Sequence, residues 1–174
     1  PPSEYLGCKF PCRVKEVCRP LVRCLRLPVQ DSCFPSGGAA AATVIISIKM
    51  QNRFQPLKAM MGGWSMNAGL AKIAIVVDDD LNIRDPFQVD WAIAFRMQPA
   101  EDIRIVRDTD PITLDPSQPM KDGKPVLPAE QVSSKLGIDA TRKHQYPAAS
   151  LPPQEHLDRV AANWARYGIR EVKR

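Results

Sequence analysis

The sequence predicts an α/β domain in which a mostly parallel sheet is flanked by helices, with a long proline-rich arm and a C-terminal helix. Strand-like and helix-like segments alternate between residues 41 and 106, which is the pattern of such a sheet. One segment, KIAIVV (72–77), is a nearly continuous apolar run, as expected for a strand covered on both faces. The 174 residues, 44% of them apolar, suffice for one domain with a sizeable core.

The first quarter of the chain leads into the predicted sheet. Residues 1–20 form a Pro- and Cys-rich entry segment. VRCLRLP (22–28) alternates apolar and charged residues, as a half-exposed strand does. DSCFPSGG (31–38) has the composition of a loop, and AATVIISIKM (41–50) is β-branched and predicts a strand.

Two helices are predicted on either side of KIAIVV. PLKAMMGGWSMNAGLA (56–71) has helical composition, although its glycine pair weakens a helix interior. After the strand, Asp85 is placed to cap a helix, Pro86 suits its first position, and Gln88 can reach back in a capping box. Apolar residues then follow at helical spacing, and DIRIV (102–106) predicts a further short strand.

The second half of the chain is less regular. Seven of the 17 prolines lie in residues 108–152, which predicts a long loop or arm that wraps a partner or carries function. A final helix is predicted near Pro152 and Pro153, with Gly168 as its stop. The predicted organisation is therefore an entry segment (1–20), an α/β core (21–107), an arm (108–152) and a C-terminal helix (153–174).

Composition excludes several classes of protein. The net charge is +5, but the cations are spread out, without the dense basic blocks of a nucleic-acid arm. Apolar runs fall far short of the ~20 residues of a membrane helix, and no secretory signal is visible. We therefore expect a cytoplasmic protein that binds neither nucleic acid nor membrane.

The five cysteines all lie within the first 33 residues. Only Cys8 and Cys12 have the spacing of a structural zinc knuckle, and the odd count argues against a disulfide framework. Reduced thiols are the expected state, and a metal module between residues 8 and 33 is the alternative.

Three consecutive aspartates, Asp78, Asp79 and Asp80, follow the central strand. Ligands of open α/β sheets bind beyond the carboxyl ends of strands, so a magnesium or acid–base role is conceivable. However, adjacent strand residues point to opposite faces, so at most two of the three can converge. We expect these carboxylates to end the strand and solvate the turn.

Other catalytic signatures are absent from the sequence. It contains no nucleophile elbow, zinc-protease helix, P-loop or dinucleotide fingerprint. The two histidines, His144 and His156, are not tied by sequence to a nucleophile. The tryptophans all lie on predicted helices, where core or interface packing is expected. From the residues alone, the chain is an α/β domain without an autonomous active site.

Several ordered strings resemble one family, the UbiD-type carboxy-lyases, which are decarboxylases that depend on prenylated FMN. The strings are MMGGWS (60–65), KIAIVVDDDLNIRDPFQVDWAIAFRMQPAEDI (72–103) and SSKLGIDAT (133–141), together with PPSEY (1–5) and NWARYGI (163–169) in the family's order. The resemblance covers essentially the whole chain and is closest to the family's C-terminal region. It implies an oligomeric decarboxylase or carboxylase that acts on an aromatic or α,β-unsaturated acid.

The resemblance also implies where the chemistry lies. In the family, the catalytic residues, the metal ligands and most contacts to prenylated FMN, a divalent metal and potassium belong to earlier domains. We therefore expect no catalytic residue and no metal ligand here, and we expect the chain alone to be inactive. Its implied roles are assembly and one wall of the substrate pocket.

Three residues carry over by position. DPITLDP (110–116) is similar to the family loop that lines the substrate pocket, so Ile112 and Leu114 are the implied substrate contacts. Packing within the arm is the alternative for both. The helix after MMGGWS often supplies a basic residue to the flavin phosphate in the family. This chain has Asn67 there, which is the implied cofactor contact, and Lys72 is the next cation.

The implied partners are the protein's own N-terminal flavin-binding domains or a separate catalytic subunit, with a homo-oligomer expected. Whether the chain is a fragment or a separate subunit stays open, as do the substrate and the direction of the reaction. The alternative function is a non-catalytic scaffold subunit of a carboxylase complex, which the Met66-Asn67 departure favours.

Overall fold

The protein is described from a computed structural model, which covers residues 25–38, 42–66, 71–112, 115, 117–121, 124–125, 133–146 and 152–168. The chain divides into two compact units, Pro1–His144 and Gln145–Arg174. Among the described helices, none is both long and apolar enough to cross a membrane.

The first unit is built on a five-stranded sheet with the strand order β1-β2-β3-β7-β4. Its strands are β1 (Val29–Cys33), β2 (Thr43–Ile48), β3 (Ile73–Asp78), β4 (Ile103–Thr109) and β7 (Ser133–Asp139). The three central strands, β2, β3 and β7, are parallel, and the edge strands β1 and β4 are antiparallel to their neighbours. Two very short strands, β5 (Met120–Lys121) and β6 (Lys124–Pro125), form a separate antiparallel pair.

Helices cover both faces of the sheet, so the predicted α/β class is confirmed. They are α1 (Gln55–Met66), α2 (Pro86–Arg96) and the single turn α3 (Pro99–Asp102), with a 3-10 turn at Ser36–Gly38. Alternate residues of β3 serve the two faces, because successive side chains of a strand point in opposite directions. Ala74 and Val76 pack in the cluster that includes α1, whereas Ile75 and Val77 pack in the cluster that includes α2.

The start of α2 follows the predicted capping pattern. The Asp85 carboxylate accepts a hydrogen bond from the Phe87 N–H at 3.0 Å, and Pro86 occupies the first helical position. Gln88 reaches back, but its amide donates to the Asp85 side chain at 3.1 Å while its oxygen accepts from Asn82 N–H at 2.8 Å. The cap therefore also fixes the turn between β3 and α2.

Two strands lie where the sequence predicted loops. Within DSCFPSGG, residues 31–33 belong to β1, where backbone pairing with β2 buries Ser32 and Cys33 although the stretch is polar. The strand predicted at VRCLRLP (22–28) is wrong as well, since residues 25–28 are not a strand and Arg26 has a left-handed φ of 50°. Residues 22–24 lie outside the described residues.

The larger correction concerns the proline-rich arm. Residues 133–139, placed in the arm by their composition, form β7 in the interior of the sheet, paired with both β3 and β4. A lysine and a glycine interrupt its apolar pattern and hide the strand. Gly137 is required by packing, because a Cβ there would lie 2.6 Å from the Met60 sulfur and 3.1 Å from Trp64 Cη2.

The second unit contains helix α4 (Gln154–Ala162) and a 3-10 turn (Trp164–Tyr167) that ends at Gly168 with φ of 65°. The predicted C-terminal helix and its glycine stop are therefore present. A helix this short is marginal in isolation. Four large apolar side chains of the second unit are exposed, namely Leu157 and Val160 of the helix and Trp164 and Tyr167 of the 3-10 turn.

We predict that Gly137→Ala destabilises the protein by about 1–3 kcal/mol, because the new methyl group overlaps buried side chains of α1. Urea unfolding measures the change. The matched control is Gly63→Ala in α1, where the nearest atom lies 3.6 Å from the new Cβ and alanine is the better helix former. Equal effects of the two substitutions would contradict the packing described for β7.

Candidate functional site

The carboxyl end of β3 carries an ion cluster around a buried arginine. The Arg96 side chain, only 1% exposed, reaches this end from the last turn of α2. Its guanidinium donates two parallel hydrogen bonds to Asp80, at 2.9 and 2.7 Å, and a third to Asp78 at 3.2 Å. Asp78 at the end of the strand and Asp80 in the turn after it therefore converge on Arg96, so the expectation that the aspartates only end the strand and solvate the turn is wrong for these two.

The loop after β7 closes the same cluster. The Arg142 backbone N–H donates to the Asp78 carboxylate at 2.7 Å, and the Arg142 guanidinium lies 2.9 Å from Asp80. Two guanidinium groups thus face two carboxylates, so the cluster has no net charge when all four are ionised. Because Arg96 and Arg142 both contact Asp80, the ends of α2, β3 and β7 are held together.

Burial and charge act differently on the two aspartates. Burial raises the pKa of Asp78, although the Arg142 N–H and the Arg96 charge oppose this rise. Hydrogen bonds from Arg96 lower the pKa of Asp80, which is the more exposed carboxylate. Asp80 is therefore the firmly ionised partner of Arg96.

Neighbouring contacts fix the loop that carries Arg142. The Asp139 carboxylate accepts hydrogen bonds from the Thr141 N–H at 3.0 Å and from its hydroxyl at 2.6 Å. The Lys143 ammonium lies 3.1 Å from the Asp139 carboxylate and 3.3 Å from that of Asp102. These ion pairs fix the backbone and leave few carboxylate oxygens free to accept from a ligand. The arrangement is therefore suited to holding the ends of β3 and β7 together rather than to acid–base chemistry.

A second ion pair lies at the opposite end of β3. Lys72, just before the strand, donates to Asp115 at 2.8 Å and to the Ser117 hydroxyl at 2.6 Å. Burial raises the pKa of Asp115, but the hydrogen bonds from Lys72 and Ser117 outweigh it and hold the pKa at about 2. Lys72 thus ties the loop after β4 to the base of the sheet.

The predicted site residues fall unevenly on the structure. Ile112 is a half-buried residue of the loop after β4, whose carbonyl accepts from the Asp115 N–H at 3.0 Å. Leu114 and Asn67 lie outside the described residues, as do all cysteines except Cys33. Cys33 is buried, and its thiol donates to the Ile83 carbonyl at 3.3 Å.

The remaining candidates separate into core and surface. Trp64 is buried as expected, whereas Trp91 and Trp164 are each more than a third exposed. Both histidines are exposed. Across the parts of the chain that the structure describes, no three His, Cys, Asp or Glu side chains are grouped so as to hold a metal ion.

Sequence reasoning missed Arg96 as the partner of the aspartates. The signal was available, because Arg96 follows Val89, Ala92 and Ile93 on the apolar stripe of α2. A charged residue on a buried face needs a charged partner, and the aspartates end the strand that precedes this helix. The buried Lys135 of β7 was missed for another reason, since its strand was not predicted.

A family model described as the 3-octaprenyl-4-hydroxybenzoate carboxy-lyase C-terminal domain matches residues 15–140. The chain belongs to this UbiD C-terminal domain family. Its match includes every strand of the sheet and the whole Arg96 cluster except Arg142, which lies just past the matched range.

Solved and curated proteins are similar to this chain over most of its length. The UbiD-class enzyme HmfF from Pelotomaculum thermopropionicum, in complex with FMN, is similar with a TM-score of 0.68 and 28% identity over 87% of this chain and 32% of that one. The 3,4-dihydroxybenzoic acid decarboxylase of Klebsiella pneumoniae shares the fold, with a TM-score of 0.66 and 20% identity over 84% of this chain and 32% of that one. An uncharacterised protein of Aeropyrum pernix is 30% identical over 86% of this UbiD domain and 31% of its own length. The chain thus spans about a third of these relatives.

We predict that Arg96→Met destabilises this UbiD domain by about 3–5 kcal/mol, because the Asp78 carboxylate then stays buried without its positively charged partner. The matched control is Arg84→Met, which removes a pair with Asp31 whose side chains are 42% and 39% exposed. That loss should be under about 1 kcal/mol. Urea unfolding of both variants measures the difference. Similar losses would contradict the account, because the Arg96 cluster would then stabilise the fold no more than an exposed ion pair does.

Asp115→Asn tests the second ion pair through its pH dependence. A carboxyl whose pKa is lowered in the folded state adds stability above its unfolded pKa of about 4, and this is lost as the pH falls through the folded value. The wild-type advantage over Asp115→Asn should therefore be full above about pH 4 and vanish near the folded pKa of about 2. Denaturant unfolding across this range measures it, and a pH-independent difference would refute the assignment.

Proposed function

We propose that this chain is the C-terminal, assembly and substrate-pocket part of a UbiD-type decarboxylase or carboxylase that acts on an aromatic or α,β-unsaturated carboxylic acid. The observation that carries the proposal is the family match over residues 15–140, together with the likeness to an FMN-bound UbiD-class enzyme. The matched range spans all five strands of the sheet, so the likeness extends beyond short motifs.

Ile112 supports the proposed pocket role. It is half-buried in the loop after β4, and the Lys72–Asp115 pair restrains that loop three residues further on. A restrained loop can present an apolar side chain in a fixed position, as a pocket wall requires. We propose that Ile112 and Leu114 contact the apolar part of the substrate.

The cofactor is proposed to be held mainly by other parts of the protein. The described residues contain no group of three His, Cys, Asp or Glu side chains that could hold a metal ion, and Lys72, the next cation after Asn67 in the sequence, already binds Asp115 and Ser117. This set of residues does not fit prenylated FMN with its divalent metal and potassium. We therefore derive no catalytic step from this chain, and Asn67 stays a proposed contact.

Exposed aromatic residues support a role in assembly. On α2, Phe87 and Phe95 are 68% and 66% exposed and flank Trp91, which packs against Phe95 with 5.9 Å between ring centroids. On the same face of the sheet, Ile105 of the edge strand β4 is 64% exposed. Apolar surface of this kind marks contact with other domains or subunits.

The proposed partners are the flavin-binding domains of a longer polypeptide or a separate catalytic subunit, within a homo-oligomer in the cytoplasm. A non-catalytic scaffold subunit of a carboxylase complex is the second candidate. It is favoured by the Met66-Asn67 departure, which removes a basic residue toward the flavin.

We predict that the purified 174-residue chain has no decarboxylase activity, whereas its full polypeptide or complex, reconstituted with prenylated FMN, releases CO₂ from an aromatic or α,β-unsaturated acid. The catalytic residues are proposed to lie in other parts of the protein, and the cofactor supplies the electron chemistry. Product formation is measured by chromatography, with unreconstituted complex as the control. Turnover by the isolated chain would contradict the proposal that catalysis belongs to other parts of the protein. A complex that binds no flavin would favour the second candidate, a non-catalytic scaffold subunit.

A further inference from the structure

The loop after β4 is tied to the sheet through one lysine. The Lys72 ammonium donates to the Asp115 carboxylate at 2.8 Å and to the Ser117 hydroxyl at 2.6 Å. The Asp115 side chain is only 8% exposed and that of Lys72 is 31% exposed, so the pair is largely shielded from water. Charge-assisted hydrogen bonds that are shielded in this way are stronger than those of exposed ion pairs. We call Lys72, Asp115 and Ser117 the Lys72 junction.

The Lys72 junction fixes the backbone of the loop as well as its side chains. The second oxygen of the Asp115 carboxylate accepts from the Ser117 N–H at 2.9 Å. The Asp115 N–H donates to the Ile112 carbonyl at 3.0 Å, and the Asp115 carbonyl accepts from the Gln118 N–H at 3.1 Å. All three bonds involve Asp115, so the position of Ile112 depends on the residue that Lys72 holds.

The backbone that presents Lys72 is itself fixed. The preceding residue, Ala71, is fully buried and takes a left-handed φ of 57°. This conformation is strained for alanine, and such strain persists only where the surroundings hold the chain in place. Here the Lys72 carbonyl accepts from the Leu136 N–H of β7 at 2.8 Å. The next N–H, of Ile73, donates to the Ala42 carbonyl at 2.8 Å. The lysine side chain therefore extends from a rigid base.

The chain is strained again where β4 leads into the loop. Asp108 has a left-handed φ of 56° at a β-bulge between Val106 and Thr109. Because Thr109 pairs with Ser133, the first residue of β7, the bulge lies at the end of the sheet where β3 and β7 begin. Bulges redirect the chain, and strained residues cluster at functional sites. One strained residue, Ala71 or Asp108, thus precedes each of the two segments that the Lys72 junction joins.

We propose that Lys72 is a positioning residue for the substrate pocket, which holds the loop after β4, through Asp115 and Ser117, in the conformation in which Ile112 contacts the substrate. This inference rests on the function proposed above, because it takes Ile112 to be a substrate contact. Lys72 acts only through the loop, since its ammonium already donates to Asp115 and Ser117.

The kinetic expectation follows from the part of the substrate that Ile112 would contact. An apolar contact to the non-reacting part of the acid is made equally in the ground state and in the transition state, so its loss raises KM and leaves kcat unchanged. We expect Lys72→Met to raise KM roughly fivefold to tenfold, because the freed loop must be ordered at each binding event. A substitution that only destabilised the fold would instead lower kcat, through a smaller folded fraction, and leave KM unchanged.

The experiment compares wild type with variants of Lys72 in the full polypeptide or complex, reconstituted with prenylated FMN. Steady-state release of CO₂ from an aromatic or α,β-unsaturated acid gives kcat and KM. Lys72→Arg keeps a cation with donors for both Asp115 and Ser117 and should recover most of the lost affinity. Lys49→Met makes the same charge change as Lys72→Met at an exposed position and should leave both constants unaltered.

Hydrogen exchange of the same proteins tests the loop without turnover. The amides of Asp115, Ser117 and Gln118 are bonded within the loop, so a peptide that spans residues 110–119 reports on it. Exchange of these amides should be faster by roughly tenfold or more in Lys72→Met and unchanged in Lys49→Met. Ser117→Ala removes one of the two acceptors of the lysine, and it should change exchange and KM in the same direction but by less.

Unchanged exchange in Lys72→Met would overturn the proposal, because the loop would then be held by other contacts. Faster exchange with an unchanged KM would overturn it too, because the restrained loop would not contribute to substrate binding. Ser117→Ala decides by the same two measurements if Lys72→Met does not fold. Absence of turnover by the wild-type protein would overturn the proposed function itself and this inference with it, so the two failures are distinguishable.

Discussion

The structure depends on one buried cation, the guanidinium of Arg96. A charge that is 99% buried loses its hydration, and only excellent geometry with opposite charges offsets this loss. Here Asp80 accepts two parallel bonds, Asp78 accepts a third, and the guanidinium carbon lies 5.1 Å from the centre of the Trp91 ring. Its position at the last residue of α2 adds a favourable interaction with the helix dipole.

The need to pair Arg96 explains why β3 is followed by aspartates and not only by uncharged turn residues. Asp78 is the last residue of β3 and Asp80 lies in the turn that follows, and this turn brings both carboxylates to Arg96. Arg142 then brings in the loop after β7, a strand that arrives in the sheet 55 residues after β3 ends. The cluster therefore joins segments that lie far apart in the sequence, and its chemistry is structural.

Much of the fold was predictable because its signals are local. The apolar run of β3, the β-branched β2 and the Asp85 cap each specify their structure from neighbouring residues. The failures share a different cause, since β1 and β7 are polar or glycine-containing strands whose burial comes from pairing with distant strands. In the sequence Gly137 interrupts the strand pattern, yet in the sheet its missing side chain leaves space for Met60 and Trp64. For the site, strand geometry limited convergence to at most two aspartates, but their pairing with a buried arginine was not predicted, because it required knowing which face of α2 is buried.

A double-mutant cycle between Arg96 and Asp78 tests the central role of the ion cluster most directly. The free energies of unfolding of Arg96→Met, Asp78→Asn and the double variant are compared with that of the wild type. We expect the losses to be non-additive by about 1–3 kcal/mol, because each single substitution leaves the other group buried without its partner. Additive losses would contradict the account, since they would mean that Arg96 and Asp78 contribute to stability independently.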